Sequence, residues 1–269
     1  MPQAEIISST ANPLVKQVRR AVSRGERTAE GFAVAETFHL LEEALRSECE
    51  VQAILVAESA QGSVEGFTHK VFNARVVVLP DKLLEALSDT ETSQGVIALV
   101  RLPEWQVAQL FPERCLVVAL DGLQDPGNAG AIARSAEAFG ASGVLFLKGA
   151  VSPFNPKALR ASAGSLFRIP FLQGVDPAVA VAEFRQHGVN VYAAVSHRGA
   201  QGAKLLHETD LAGACALVIG SEAHGVSASM RTHAHEVSIP TIGVESLNAA
   251  AAAAVLLYEA QRQRSLQRA

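Results

Sequence analysis

Five polar side chains fall in three glycine-containing stretches of the C-terminal half of the chain. Asn128 and Arg134 lie in the first, Glu222 in the second, and Ser246 and Asn248 in the third. These residue types can bind polar groups and handle protons. Carboxylate, amide and hydroxyl groups can hold or relay a proton, and a guanidinium can steady a phosphate or a developing alkoxide. Gly127, Gly130, Gly220 and Gly243 would clear space for backbone contact with a ligand. Each side chain also has a plain structural role open to it. Asn128 suits a turn, Glu222 a solvent-facing strand end, Arg134 a surface helix, and Ser246 or Asn248 a helix cap. The three stretches follow apolar runs ending at Leu120, Ile219 and Ile239. If those runs are parallel strands, their carboxyl ends share one crevice and the three stretches meet there.

Several chemistries are excluded. Gly127-Asn128-Ala129-Gly130 matches neither G-x-x-x-x-G-K-[ST] nor G-x-G-x-x-G, so no phosphate loop or dinucleotide fingerprint is present. Gly220-Ser221-Glu222-Ala223-His224 is not the nucleophile elbow G-x-S-x-G. No HExxH or Cys/His ligand set occurs, so no metal is expected. Cys49, Cys115 and Cys215 are too scattered for a disulfide framework and read as buried thiols of a reducing, cytoplasmic setting. The 269 residues suggest about two domains. A 49% hydrophobic content provides ample core, and no apolar run approaches the roughly 18 residues of a membrane span. The N-terminus lacks the basic and apolar regions of a secretory signal, so a cytoplasmic protein without a membrane partner is expected. The net charge of −4 confines any nucleic-acid contact to a local basic patch.

The elements that must position these residues divide into two modules. In the first, over 1–101, Asn12-Pro13 reads as the start of a helix carrying Lys16, Arg19, Arg20 and Arg24. The spacing of these four puts most of them on one face, either a solvated one or a phosphate-contacting one. Strands are expected at 31–35, 51–57, 71–72, 76–79 and 95–101, with helices at 37–46 and 80–87, a compact α/β module. Residues 102–114 read as a linker. The second module, 115–269, alternates strands at 116–120, 144–147, 189–195 and 216–220 with helices at 131–139 and 178–187 and a partly helical stretch at 152–164. This argues for a mostly parallel sheet covered on both faces. Pro240 ends a further strand, and the alanines at 249–254 form a helix with a face bare enough for close approach.

With these motifs in place, the second module resembles the catalytic domain of the SpoU/TrmH RNA 2′-O-ribose methyltransferases, within the SPOUT superfamily. The match is carried by three motifs in the family's order. Asp125-Pro126-Gly127-Asn128-Ala129-Gly130-Ala131-Ile132-Ala133-Arg134-Ser135-Ala136 is the first, and Leu217-Val218-Ile219-Gly220-Ser221-Glu222-Ala223-His224-Gly225 the second. Ile239-Pro240 followed by Val244-Glu245-Ser246-Leu247-Asn248 is the third. Asn155 to Gly164 matches a family segment between the first two. The first module is similar to the family's ribosomal-protein-like α/β substrate-binding domain. Ala223, His224 and the run of alanines depart from the family pattern.

The resemblance implies a deep trefoil knot in the second module, a topology that general rules of chain connection would reject. It implies S-adenosyl-L-methionine as cofactor, held around Gly220, Ile239, Ser246, Leu247 and Asn248. It implies a homodimer, and a substrate ribose 2′-hydroxyl in structured RNA, ribosomal RNA in preference to tRNA. Asn128, Arg134, Glu222, Ser246 and Asn248 become the catalytic candidates. Lys16, Arg19, Arg20, Arg24, Lys157 and Arg160 become candidates for RNA contact. The family assigns the base to the first-motif arginine, here Arg134, but a guanidinium with a pKa above about 12 is poorly suited to that task. Two other readings stand beside this one: a knotted RNA-binding protein without activity, and a nucleotide-dependent oxidoreductase, which the missing G-x-G-x-x-G disfavours.

Overall fold

Four helices of the protein begin with the same two-residue device, an Asn or Asp followed by proline. In the computed structural model, which describes residues 5–68, 74–90, 92–196 and 202–267, Asn12, Asp125, Asn155 and Asp176 each cap a helix whose first residue is proline. Their side-chain oxygens accept from the N–H groups of Leu14 (2.9 Å), Asn128 (2.7 Å), Lys157 (2.9 Å) and Ala178 (3.0 Å). Proline fixes a helical φ where its missing N–H costs nothing, and the cap satisfies an otherwise free donor.

The contacts divide the chain into two units: 1–104 with 154–168, and 105–153 with 169–269. The first unit contains β1 (Glu5–Ile6), α1 (Pro13–Arg24), β2 (Ala33–Glu36), α2 (Phe38–Arg46), β3 (Glu50–Ala57), α3 (Gln61–Thr68), β4 (Arg75–Leu79), α4 (Asp81–Glu85) and β5 (Val96–Arg101). Its sheet runs β1-β4-β3-β5-β2, parallel from β1 to β3 and antiparallel on either side of β5. Val15 and Val18 of α1 pack against Leu55, Val77, Leu79, Ile97 and Leu99 in its core. The strand expected at 71–72 lies outside the described residues.

The second unit contains α5 (Val107–Leu110), β6 (Leu116–Asp121), α6 (Pro126–Ala138), β7 (Gly143–Leu147), β8 (Phe171–Val175), α8 (Pro177–Gln186), β9 (Asn190–Val195), β10 (Lys204–Leu205), β11 (Cys215–Gly220), α9 (Ala228–Arg231), β12 (His235–Ser238) and α10 (Ala249–Leu266); α7 (Pro156–Ser162), which lies between β7 and β8 in the chain, groups with the first unit. The seven strands are all parallel, in the order β10-β12-β9-β11-β6-β7-β8. Residues read as linker contribute here: Leu110 and Phe111 are buried with Phe184, the two rings meeting edge to face at 6.0 Å. The carboxyl end of α10 is fastened by Arg264, whose guanidinium donates to the carbonyls of Arg114 (2.8 Å), Cys115 (2.9 Å), Leu211 (3.1 Å) and Gly213. Among the described residues no helix is long and apolar enough to cross a membrane.

The placement of 154–168 departs from an unbroken module over 115–269. Arg160 explains the anchoring. Its guanidinium reaches Glu36 at 3.1 Å and Asp89 at 2.9 Å, and Glu36 is 2% exposed. Arg160, expected to face RNA, is therefore committed to carboxylates of its own unit, because a buried charge left unpaired is costly. Nearby, Arg168 pairs with Glu43 at 2.7 Å. Burial raises the Glu36 carboxyl above its ordinary value of 4.5, opposed by the Asp89 N–H, Arg160 and Ser88. The folded state thus holds this proton more tightly than the unfolded chain. Its contribution to stability is complete below the ordinary glutamate value and is lost as pH rises through the folded value. In denaturant unfolding, the stability of the wild type relative to Glu36→Gln should fall as pH rises from acidic to neutral. Parallel curves for the two proteins would contradict this account.

Candidate active site

The three motif stretches come together, with one rearrangement. The first was expected to be a loop opening into a helix at Ala131. Instead α6 begins at Pro126, so Asn128 sits in the first turn of a helix, held by its N–H bond to Asp125. The Asp125-Pro126 pair is the same start signal as Asn12-Pro13, and it was masked by the glycines that follow. Asn128 Nδ2 donates to Glu222 Oε1 at 2.5 Å, and Asn248 Nδ2 donates to Asn128 Oδ1 at 3.0 Å. Asn248 Oδ1 accepts from the N–H groups of Ala250 (2.9 Å) and Ala251 (3.3 Å), capping α10. Asn248, rather than Ser246, is therefore the helix cap.

This chain of hydrogen bonds has only one polarity. The backbone of α10 can only donate, so Asn248 must turn its oxygen toward the helix and its amino group toward Asn128. Asn128 then presents its oxygen to Asn248 and its amino group to Glu222, which receives as a carboxylate. The end of a helix thereby fixes the orientation of a carboxylate supplied by a loop remote from it in sequence.

Beside this chain lies a cavity of about 430 Å³. Its walls come from the ends of β9, β11 and β12 and the start of α10, including Gly220, Glu222, Ile239, Ser246, Leu247 and Asn248. All five expected cofactor positions therefore line one space. Ala194, Val195, Ser196, Thr241, Glu245, Ala249 and Ala252 complete much of the wall. The contribution of β9 was missed from sequence, although its place next to β11 and β12 carries its end to the same rim. Two of the alanines face the cavity, while Ala253 is fully buried beneath and α10 packs on α6.

The Glu222 loop is shaped by a backbone pinch. The N–H of Ser221 donates to Gly225 O (3.1 Å) and that of Gly225 to Ser221 O (2.9 Å). A Cβ on Gly220 would lie 2.0 Å from the Gly225 carbonyl carbon, so only glycine fits, and Gly225 itself has φ +66°. The buried Asp121, at the end of β6, accepts from the N–H of Ser227 at 2.7 Å and ties down the far side of the loop.

Arg134 stands apart. It is exposed on α6, does not line the cavity, and makes no hydrogen bond or ion pair among the described residues. The thiols offer no nucleophile: Cys115 and Cys215 are buried, and burial pushes Cys49 and Cys215 up to about 11. Glu222 and Glu245 are the charged residues of the wall among the described residues, with no Lys, Arg or His beside them in that set. A mostly apolar cavity with two carboxylates suits a flat heteroaromatic group joined to a cation.

The comparisons with known proteins agree with this chemistry. Residues 115–258 match the family described as the SpoU rRNA Methylase family, and residues 12–98 match the MRM3-like substrate binding domain. The chain belongs to the SpoU rRNA methylase family. It is 33% identical to the 23S rRNA (guanosine(2553)-2′-O)-methyltransferase RlmP of Bacillus subtilis, over 94% of this chain and 97% of that protein. The SpoU methyltransferase AviRb of Streptomyces viridochromogenes, solved with AdoMet, is similar at a TM-score of 0.83 and 29% identity, covering 94% of this chain and 98% of that one. An AdoMet-bound rRNA methyltransferase from Sinorhizobium meliloti is similar at a TM-score of 0.82 and 26% identity, covering 97% and 98%. This SpoU methylase is thus an RNA 2′-O-methyltransferase that uses S-adenosylmethionine, which supplies an electrophilic methyl group when bound. Nothing in the comparisons favours an inactive binding protein or an oxidoreductase.

The polarity argument has a direct test. Asn248→Asp keeps the cap on α10, worth about 1 kcal/mol, but removes the donor to Asn128. Thermal stability should be unchanged while methyl transfer falls by at least about tenfold. Full activity in this variant would show that the orientation of Asn128 does not matter.

Proposed function

We propose that the enzyme methylates the ribose 2′-hydroxyl of a nucleotide in structured ribosomal RNA, in the cytoplasm and as a homodimer. The observation that carries the reading is the convergence of Asn128, Glu222 and Asn248 beside a carboxylate-lined cavity. The cofactor lies against Gly220, Ile239, Ser246, Leu247 and Asn248, its adenosine against the apolar wall and its positive charge near the carboxylates. The chain leaves β11 inside the sheet, reaches β12 beyond β9 and returns through α10 to pack on α6. We read this return, with the closing loop 239–248, as a deep trefoil knot.

The homodimer accounts for a group of apolar residues left in solvent on the closing loop and the first half of α10. Ile242 is 98% exposed, and Val244, Leu247, Val255 and Tyr258 are exposed on the closing loop and α10. A second copy covering them would bring its own Arg134 to the mouth of the cavity. There Arg134 steadies the phosphate next to the reacting ribose and the charge developing on oxygen. Arg134→Ala should leave cofactor affinity intact and lower transfer by at least about a hundredfold. Mixing Arg134→Ala with Gly220→Ala, each inactive alone, should restore up to about a quarter of the activity if the arginine acts across a two-fold interface. No restoration would place the whole site within one copy.

RNA recognition falls to the first unit. Lys16, Arg20, Arg24 and Arg27 line a groove of about 560 Å³, and Arg27 lies over the Phe154 ring at 4.5 Å. Lys16, Arg20 and Arg24 are exposed and have no acidic partner among the described residues. Arg19 lies off the groove, and Lys157 is exposed. Replacing Lys16, Arg20 and Arg24 together by alanine should weaken RNA binding and flatten the plot of log affinity against log salt by about two to three. Arg19→Ala should change the slope little. An unchanged slope in the triple variant would mean that the groove is only a solvated face.

A further inference from the structure

We infer that Glu222 is the group that takes the proton from the 2′-hydroxyl. This rests on the proposed ribose methylation and specifies its proton acceptor. Three observations carry it. First, Glu222 lines the cavity, while Arg134 of the same chain does not. Second, the one-way hydrogen-bond chain leaves Glu222 with the open basic position. Its Oε1 is engaged by Asn128, whereas Oε2 makes no hydrogen bond among the described residues. The oxygens of Asn128 and Asn248 are already accepting, and an amide or hydroxyl is in any case a negligible base beside a carboxylate. Third, Asn128 holds the carboxylate itself, and the Ser221–Gly225 pinch fixes the backbone of the loop that carries it. A proton acceptor that must meet a hydroxyl at hydrogen-bond distance needs such fixing.

A carboxylate is a weak base for a free alcohol, yet the reaction does not present a free alcohol. As the 2′-oxygen bonds to the methyl carbon, its remaining O–H becomes strongly acidic, and a carboxylate suffices to receive the proton. The balance closes. The 2′-oxygen forms a bond to the methyl carbon with one of its lone pairs, and the methyl group departs from sulfur, leaving the S–C electron pair there. The O–H bond breaks with its electrons staying on oxygen, and the proton ends on Glu222 Oε2. One anionic carboxylate and one sulfonium cation become a carboxylic acid and a thioether. Both charges vanish together, a favourable exchange in a mostly apolar cavity. A guanidinium in that role would have to begin deprotonated.

Glu245 is the competing carboxylate on the wall, and it has no such support from Asn128. The experiment compares Glu222→Gln, Glu222→Asp and Glu245→Gln with the wild type. It measures S-adenosylmethionine affinity by calorimetry and the single-turnover rate on a total rRNA transcript, with the methylated position mapped. Expected for Glu222→Gln is a loss of at least about a hundredfold in rate at saturating cofactor, with cofactor affinity falling far less than the rate. Glu222→Asp should recover part of the rate. Glu245→Gln, at a carboxylate that faces the cofactor, should act mainly on cofactor affinity and lower the rate at saturating cofactor far less than Glu222→Gln does. The assignment is overturned if Glu222→Gln keeps its rate, if its cofactor affinity falls in step with the rate, or if Glu245→Gln carries the loss instead. A wild type that binds cofactor but methylates no ribose would overturn the underlying reading, and the acceptor role with it.

Discussion

The amino end of α10 sets the direction of the hydrogen-bond chain that runs through Asn248 and Asn128 to Glu222. Helical N–H groups can only donate, and Asn248 answers them with its one oxygen. From that choice follow the orientation of Asn128 and the presentation of Glu222. Three segments far apart in sequence are thereby oriented by a local rule of helix chemistry. The arrangement needs no charge from outside the set, and it leaves the carboxylate as the terminus of the chain, where a substrate can use it.

The surrounding fold serves this constraint with backbone geometry. Parallel strands deliver their carboxyl ends to one rim, and the cavity forms where β9, β11 and β12 end side by side. The glycine pinch turns the chain within five residues, and Glu222 in that turn meets Asn128. Alanines at the start of α10 keep the wall low. Ala249 and Ala252 expose little more than methyl groups to the cavity, while Ala253, on another side of the helix, fills the core.

Much of this was legible in the residues. The strand ends, the three motif stretches and a helix cap at Ser246 or Asn248 follow from apolar runs, glycines and short polar side chains. Elements of two residues, such as β10, carry no periodicity to detect. The early start of α6 was hidden because Gly127 and Gly130 look like loop residues until Asp125 and Pro126 are weighed as a helix start. The fate of Arg160 was not legible at all. Its partners Glu36 and Asp89 are distant in sequence, and nothing near Arg160 announces them. The same holds for Arg134, whose exposure depends on which side of α6 the sheet covers.

The segment 154–168 has a consequence for how the protein is made. It belongs by contact to the first unit but is encoded after the opening strands of the second. During synthesis the N-terminal unit emerges with Glu36 already committed to the end of β2 and without the arginine that neutralises it. That unit cannot be completed until residue 168 has left the ribosome, by which time β6, α6 and β7 have also been made. The first unit is therefore completed late, by an ion pair whose arginine is made after β7. No single cut in the chain separates the two units: a fragment ending at residue 104 would lack both α7, which packs on β2, and the arginine that pairs with Glu36.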